Sequence, residues 1–132
     1  MDFDVDHHRK LIKIRLFGDL SPDALREAAS QVFSQYPGYS RLWDLRSASI
    51  GDLSRDQLEG LAKFSQRGDS QPGKVRSALL VARDLDFGVG RMYQMVGEQI
   101  LPVNFAVFRD EDEADGWFSE TDDGGGDEPG SQ

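Results

Sequence analysis

Arg41-Leu-Trp-Asp-Leu-Arg-Ser-Ala-Ser-Ile-Gly-Asp-Leu-Ser-Arg-Asp-Gln-Leu58 reads as a strand, a polar loop and a capped helix in succession. Leu42-Trp43-Asp44-Leu45 is short and largely apolar, the composition of a strand covered on both faces. Residues 46–53 mix serine, glycine and aspartate and read as a loop. Ser54 with Gln57 three positions on makes a capping box, and Leu53 with Leu58 has the spacing of a hydrophobic staple. Leu58, Leu61, Ala62 and Phe64 then give the helix one apolar face.

Working back toward the N-terminus, Gly18-Asp19-Leu20 breaks the pattern before a second capped helix. Ser21 can cap it, Pro22 suits its first position and Asp23 favours the positive end of the helix dipole. Leu25, Ala28, Ala29, Val32, Phe33 and Tyr36 form its stripe, and Pro37-Gly38 stops it. Two alternating runs precede it. Phe3 and Val5 alternate with Asp2, Asp4 and Asp6, while Ile12, Ile14 and Leu16 alternate with Lys13 and Arg15. With the polar turn His7-His8-Arg9-Lys10 between them, they predict an N-terminal hairpin.

Toward the C-terminus, residues 67–74 read as a loop, and Ser77-Ala-Leu-Leu-Val-Ala82 as a buried strand. Val89, Met92, Tyr93, Val96 and Ile100 mark a third helix, stopped at Pro102, and Asn104 to Phe108 is a further strand. Asp110 with Glu113 caps a short last helix whose apolar face is Ala114, Trp117 and Phe118. From Thr121 onward no apolar residue remains, so nothing offsets the entropy of ordering. The predicted order is ββαβαβαβα: an α/β single domain with a mixed, mostly parallel sheet and an N-terminal hairpin. The domain is expected over 1–119, with a disordered acidic, glycine-rich tail over 120–132.

The charge is distributed as unevenly as the hydrophobicity. The net charge is −9, and residues 109–132 alone hold ten acidic residues against one arginine, so the rest is neutral. A neutral body with an acidic tail argues against nucleic acid as a partner. Without cysteine there is neither a disulfide nor a thiolate metal site, which fits a cytoplasmic location. No apolar run is long enough to span a bilayer, and the acidic start Met-Asp-Phe-Asp lacks the charge of an export signal.

Gly18-Asp-Leu-Ser before a helix, a strand ending in Asp44-Leu45, and a loop into a second helix resemble the STAS domain of anti-sigma factor antagonists. Phe87-Gly-Val-Gly-Arg-Met-Tyr93 and Val107-Phe-Arg-Asp-Glu-Asp-Glu-Ala114, followed by Trp117, are similar to the SpoIIAA-like (STAS/Sec14-like) bacterial family. The resemblance runs over roughly residues 3–119 in element order. It implies a compact βα fold and a non-enzymatic regulatory role exercised through a protein partner, such as an anti-sigma factor or its kinase. In that family a serine at the start of the second helix is phosphorylated within Asp-Ser-Ser-Gly. Here the stretch is Asp52-Leu53-Ser54-Arg55, so only Asp52 and Ser54 carry over. The Sec14-like relation implies an alternative, a carrier or sensor of a nonpolar small molecule.

Each candidate site has an ordinary structural explanation beside the functional one. Ser54 is a helix cap or a phospho-switch, with Ser47 and Ser49 as weaker switch candidates in the same loop. Gly88, Gly90 and Gly97 either let the third helix pack closely or leave a groove beside Met92, Tyr93, Met95 and Val96 for a nonpolar ligand. Asp86-Phe-Gly88 and Gly88-Val-Gly90 lack the context of the kinase and dinucleotide motifs they partly match. Only one of His7 and His8 could join Asp4 and Asp6 on one strand face, so no metal site is expected. Asp44 is expected to be partly buried, with Arg46 or a loop amide as its partner. No catalytic residue and no cofactor is expected. The uncovered hairpin edge leaves room for a homodimer.

Overall fold

A computed structural model describes residues 1–68, 75–101 and 103–124, the last four as helical backbone only. Among these residues the chain forms β1 (Asp2–Asp6), β2 (Leu11–Asp19), α1 (Pro22–Gln35), β3 (Ser40–Ser49) and α2 (Arg55–Gly68). It continues with β4 (Arg76–Leu80), α3 (Asp84–Gly97), β5 (Asn104–Phe108) and α4 (Glu111–Gly124). The order is the expected ββαβαβαβα. The strands make one sheet in chain order, with β1 antiparallel to β2 and every later pair parallel.

Strand order alone decides where the helices go. Three right-handed crossovers that each step to the next strand in one direction must place α1, α2 and α3 on the same face. The packing agrees. Ala28 and Val32 of α1, Leu58 and Leu61 of α2 and Val89 of α3 share one core with Ile12, Ile14, Leu16 and Leu45 of the sheet. The opposite face has a smaller core, in which Ala114 and Phe118 of α4 meet Leu11, Leu42, Ala78 and Leu80. The alternation read along β2 is therefore correct, with Ile12, Ile14 and Leu16 all buried under the three helices.

Several boundaries move. β3 runs to Ser49, so the loop expected over 46–53 is shorter. Phe17, Gly18 and Asp19 of β2 pair with Ser47, Ala48 and Ser49 past a bulge, and that backbone ladder outweighs the polar composition. Gly18 takes a φ of 80° there, a conformation open to glycine. α4 continues to Gly124, past the point where the tail was expected to begin. A helix already nucleated adds a hydrogen bond with each further residue, so it outruns its apolar stripe. Tail residues 125–132 lie outside the described residues. So do Pro102 and positions 69–74 of the expected 67–74 loop, whose first two residues belong to α2.

Ion pairs close the α4 face. Asp44 is buried on β3, and Arg46 grips it through Nε at 3.0 Å and Nη2 at 2.8 Å, with the Arg46 amide adding a third bond at 3.1 Å. Arg15 Nε reaches the same carboxylate at 3.3 Å. Both partners expected for Asp44, Arg46 and a backbone amide, are thus in place. Burial alone would push the Asp44 carboxyl up, but the bonds and charge of Arg46, with help from Arg15, hold it below the usual carboxylate value. Lys13 Nζ joins Glu111 at 3.2 Å and Asp115 at 3.3 Å, tying β2 to α4. Burial lowers the Lys13 pKa, but these two carboxylates more than reverse that and leave it raised.

Candidate functional site

The residues singled out in the sequence fall at two places. The first is the carboxyl end of the parallel strands, where ligands and partners commonly meet open α/β sheets. The capping box forms as expected: Gln57 N donates to Ser54 Oγ at 3.2 Å and Ser54 N to Gln57 Oε1 at 2.9 Å. Leu53 and Leu58 are both buried, which completes the staple. Ser54 itself is exposed, as is Asp52 two residues before it. Ser47 and Ser49 are not in the loop. They sit on the last pairs of β3, where Ser49 O accepts Leu20 N at 3.0 Å.

Arg83 and Asp86, at the start of α3, complete this end of the sheet. Asp86 is only 1% exposed; its Oδ1 accepts Ile50 N at 3.0 Å and its Oδ2 accepts Arg83 Nε at 2.9 Å. It therefore fixes the β3–α2 loop to α3. Asp86 first, and then Asp19 and Asp52, raise the pKa of Arg83, so the acids at the end of β2 and in the β3–α2 loop share one electrostatic neighbourhood with this arginine. Leu85 lies over Gly51, where a Cβ would come within 2.8 Å of Leu85 Cγ. Glycine is what lets the loop lie this close. The sequence reading missed Arg83 and Asp86 as a pair. Their signal was weak, because an aspartate in the first turn of a helix has a sufficient reason in the helix dipole.

The second place is the layer between the sheet and the three helices. The glycines of α3 do not leave a groove at Gly88, which is exposed, with open space where its Cβ would be. Gly90 instead packs on the sheet, its missing Cβ lying 3.0 Å from Val107 and 3.3 Å from Leu79, and Gly97 admits Leu101. Close packing thus explains these two glycines. Met92 and Val96 are half-buried and Met95 is exposed.

A partly open cavity of about 90 Å³ nevertheless exists, in a different place from the expected groove. Of Gly88, Gly90, Met92, Tyr93 and Val96, only Tyr93 lines it. Its walls are otherwise mostly aliphatic and aromatic, from Leu25 and Phe33 on α1, Leu58 and Leu61 on α2, and Leu45, Leu79 and Phe105 on the sheet. The polar lining is sparse: Arg41, Ser65, Ser77, Tyr93 and the indole of Trp43, whose Nε1 donates to Ser77 Oγ at 3.3 Å. Burial pushes the Tyr93 hydroxyl above its ordinary pKa, while a bond with Ser65 and the charge of Arg41 pull part of the way back. Arg41 is 4% exposed and lies over the Phe33 ring, 4.8 Å from its centroid. An apolar chamber with a few converging polar groups has the chemistry of a small-molecule site.

At the hairpin, His7 Nδ1 is 2.7 Å from Tyr39 Oη, an ordinary structural bond. Among the described residues no group of three or more acidic or histidine side chains is placed to hold a metal ion, and no helix is long and apolar enough to cross a membrane. No protein-family model matches the chain, and no curated protein sequence matches it.

Proposed function

We propose that this chain is a non-enzymatic, STAS-like binding domain whose three-helix face takes up a small nonpolar molecule. The observation that carries this reading is the cavity of about 90 Å³ lined chiefly by leucine and aromatic side chains. An apolar ligand of roughly benzene size seated in this partly open pocket would gain dispersion contacts with its lining. The five-stranded sheet with one antiparallel edge is compatible with a STAS-like architecture, and the setting we propose is bacterial, as in that family, and cytoplasmic, as expected without cysteine.

The test is thermal unfolding with benzene or indole as probe. A ligand that binds only the folded state raises the melting temperature in a concentration-dependent way. Ala29→Phe, which places a ring in the cavity, should remove that response. If neither probe shifts the transition up to its solubility limit, the cavity is not a binding site.

A second reading, regulation through a protein partner, draws on one specific observation. Leu85 is 61% exposed beside the Gly51–Ser54 loop, and the charged groups Asp52 and Arg83 flank it. Exposed apolar area ringed by charge suits a protein contact. A phosphate on Ser54 would displace the cap and meet Asp52 and Asp56. Ser54→Asp should therefore weaken binding to a purified anti-sigma partner while the far-UV spectrum stays unchanged; equal affinity for both forms rules the switch out.

A further inference from the structure

The hydroxyl groups of the cavity gather at one end. Ser77 pairs in register with Phe105, near the amino ends of β4 and β5. Tyr93 stands over that pair, its ring centroid 5.1 Å from that of Phe105, and it bonds Ser65 in the last turn of α2. Leu45, Ile50, Leu53 and Leu58 line the other end. Two hydrogens at the polar end are left without an acceptor. The Trp43 indole can only donate, so Ser77 Oγ accepts in their 3.3 Å bond and the Ser77 hydrogen is left over. One bond between Tyr93 and Ser65 uses one of their two hydroxyl hydrogens and leaves the other. Among the described residues no further hydrogen bond takes up either one.

We infer that the cavity selects a small uncharged ketone, aryl or alkyl, with its oxygen between Ser77 and the Ser65–Tyr93 pair and its hydrocarbon toward Leu45 and Leu58. This rests on the cavity-binding reading above and adds the ligand's chemical class and orientation. A carbonyl oxygen has two lone pairs and no hydrogen, so it can satisfy both leftover hydroxyl hydrogens at once. Buried donors without an acceptor are rarer in folded proteins than half-used acceptors, and an alcohol would bring a third hydrogen to be paired. Arg41, beside Ser77 on β3, has partners of its own, among them the Phe33 ring and the Tyr39 carbonyl. The aliphatic end offers nothing to a second polar group, which restricts the ligand to one.

Acetophenone and α-methylstyrene share a shape and differ by an oxygen in place of a methylene, so together they isolate the carbonyl. Equilibrium dialysis gives both affinities, and the infrared stretch of acetophenone labelled at its carbonyl carbon reports on the bound oxygen. In the bound ketone that stretch should fall below its frequency in hexane, the mark of an accepted hydrogen bond. Ser65→Ala combined with Tyr93→Phe removes one donor. It should weaken acetophenone about fivefold, the equivalent of one neutral hydrogen bond, and leave α-methylstyrene no weaker. If that variant does not fold, the stretch in the unsubstituted protein decides alone. A bound carbonyl that absorbs as in hexane, or a ratio of the two affinities unchanged in the variant, overturns the inference. Binding of α-methylstyrene without acetophenone defeats the ketone class but keeps the nonpolar site. Binding of neither probe defeats both.

Discussion

The two faces of the sheet solve the same burial problem differently. Under α1, α2 and α3 a large apolar layer spans five strands' worth of chain and leaves a chamber unfilled. Under α4 a smaller core is flanked by the ion pairs of Lys13, Arg15, Asp44, Arg46 and Glu111. One helix covering a few residues can match them closely. Three helices leaning on a twisted sheet must fit each other as well as the strands. The face with more apolar material is thus the one with an apolar pocket, and the face with more charge is the one that holds the last helix on.

Small-to-large substitutions should break this symmetry most clearly. Ala114→Leu, at a fully buried position on α4, should cost about 2 kcal/mol through overpacking. Ala29→Leu, at the cavity wall, should stay within about 1 kcal/mol of neutral because the added atoms have space. Urea unfolding of both variants measures the gap, and equal losses would mean the chamber is not open to side chains.

Acid should act on one face before the other. Asp44 and Glu111 are both held below their ordinary pKa, Glu111 first by its bond to Lys13. Their contribution is complete above the usual carboxylate range and is lost as pH falls through the lowered values. Amide exchange in α4 should therefore quicken on acidification before exchange in α2 does, and Asp44→Asn should flatten the dependence of the urea midpoint on pH. Simultaneous loss in both helices would show that the pairs do not govern α4 alone.

The smaller effects belong to the helical face. Ser54→Ala should lower stability by about 1 kcal/mol by leaving the Gln57 amide without its cap. Gly88→Ala should raise it by about 0.5–1 kcal/mol, since the position is helical, exposed and free of contacts. Gly90→Ala should gain less, because its methyl meets Val107. A common response of the two glycines in calorimetry would remove the distinction between open and packed positions on α3.

Much of this was legible in the residues. The capping box at Ser54 and Gln57, the stripe of α1, the hairpin and the order of elements depend on neighbours within a few positions, and local spacing records them. Arg41 lies on the same side of β3 as Trp43 and Leu45, but the strand read from the residues began only at Leu42. The cavity was not legible, because it is a remainder left after volumes from three helices and three strands are fitted together. Asp86 was hidden for a similar reason: its second partner is the Ile50 amide, on another strand's loop, and no periodicity links them. The supposed groove at Gly88 failed because a missing side chain makes room only where something would have stood.

The edge strand β1 has one more consequence, for behaviour at high concentration. Its Asp2 and Asp4 alternate with Phe3 and Val5 along a strand whose outer backbone has no sheet partner among the described residues. A second copy adding antiparallel to that edge would bring carboxylates from both chains within about 5 Å across the new pair. This repulsion discourages strand-to-strand growth, and without it the edge becomes a template. Samples carrying Asp2→Asn with Asp4→Asn should accordingly turn turbid at concentrations where the unsubstituted protein stays clear.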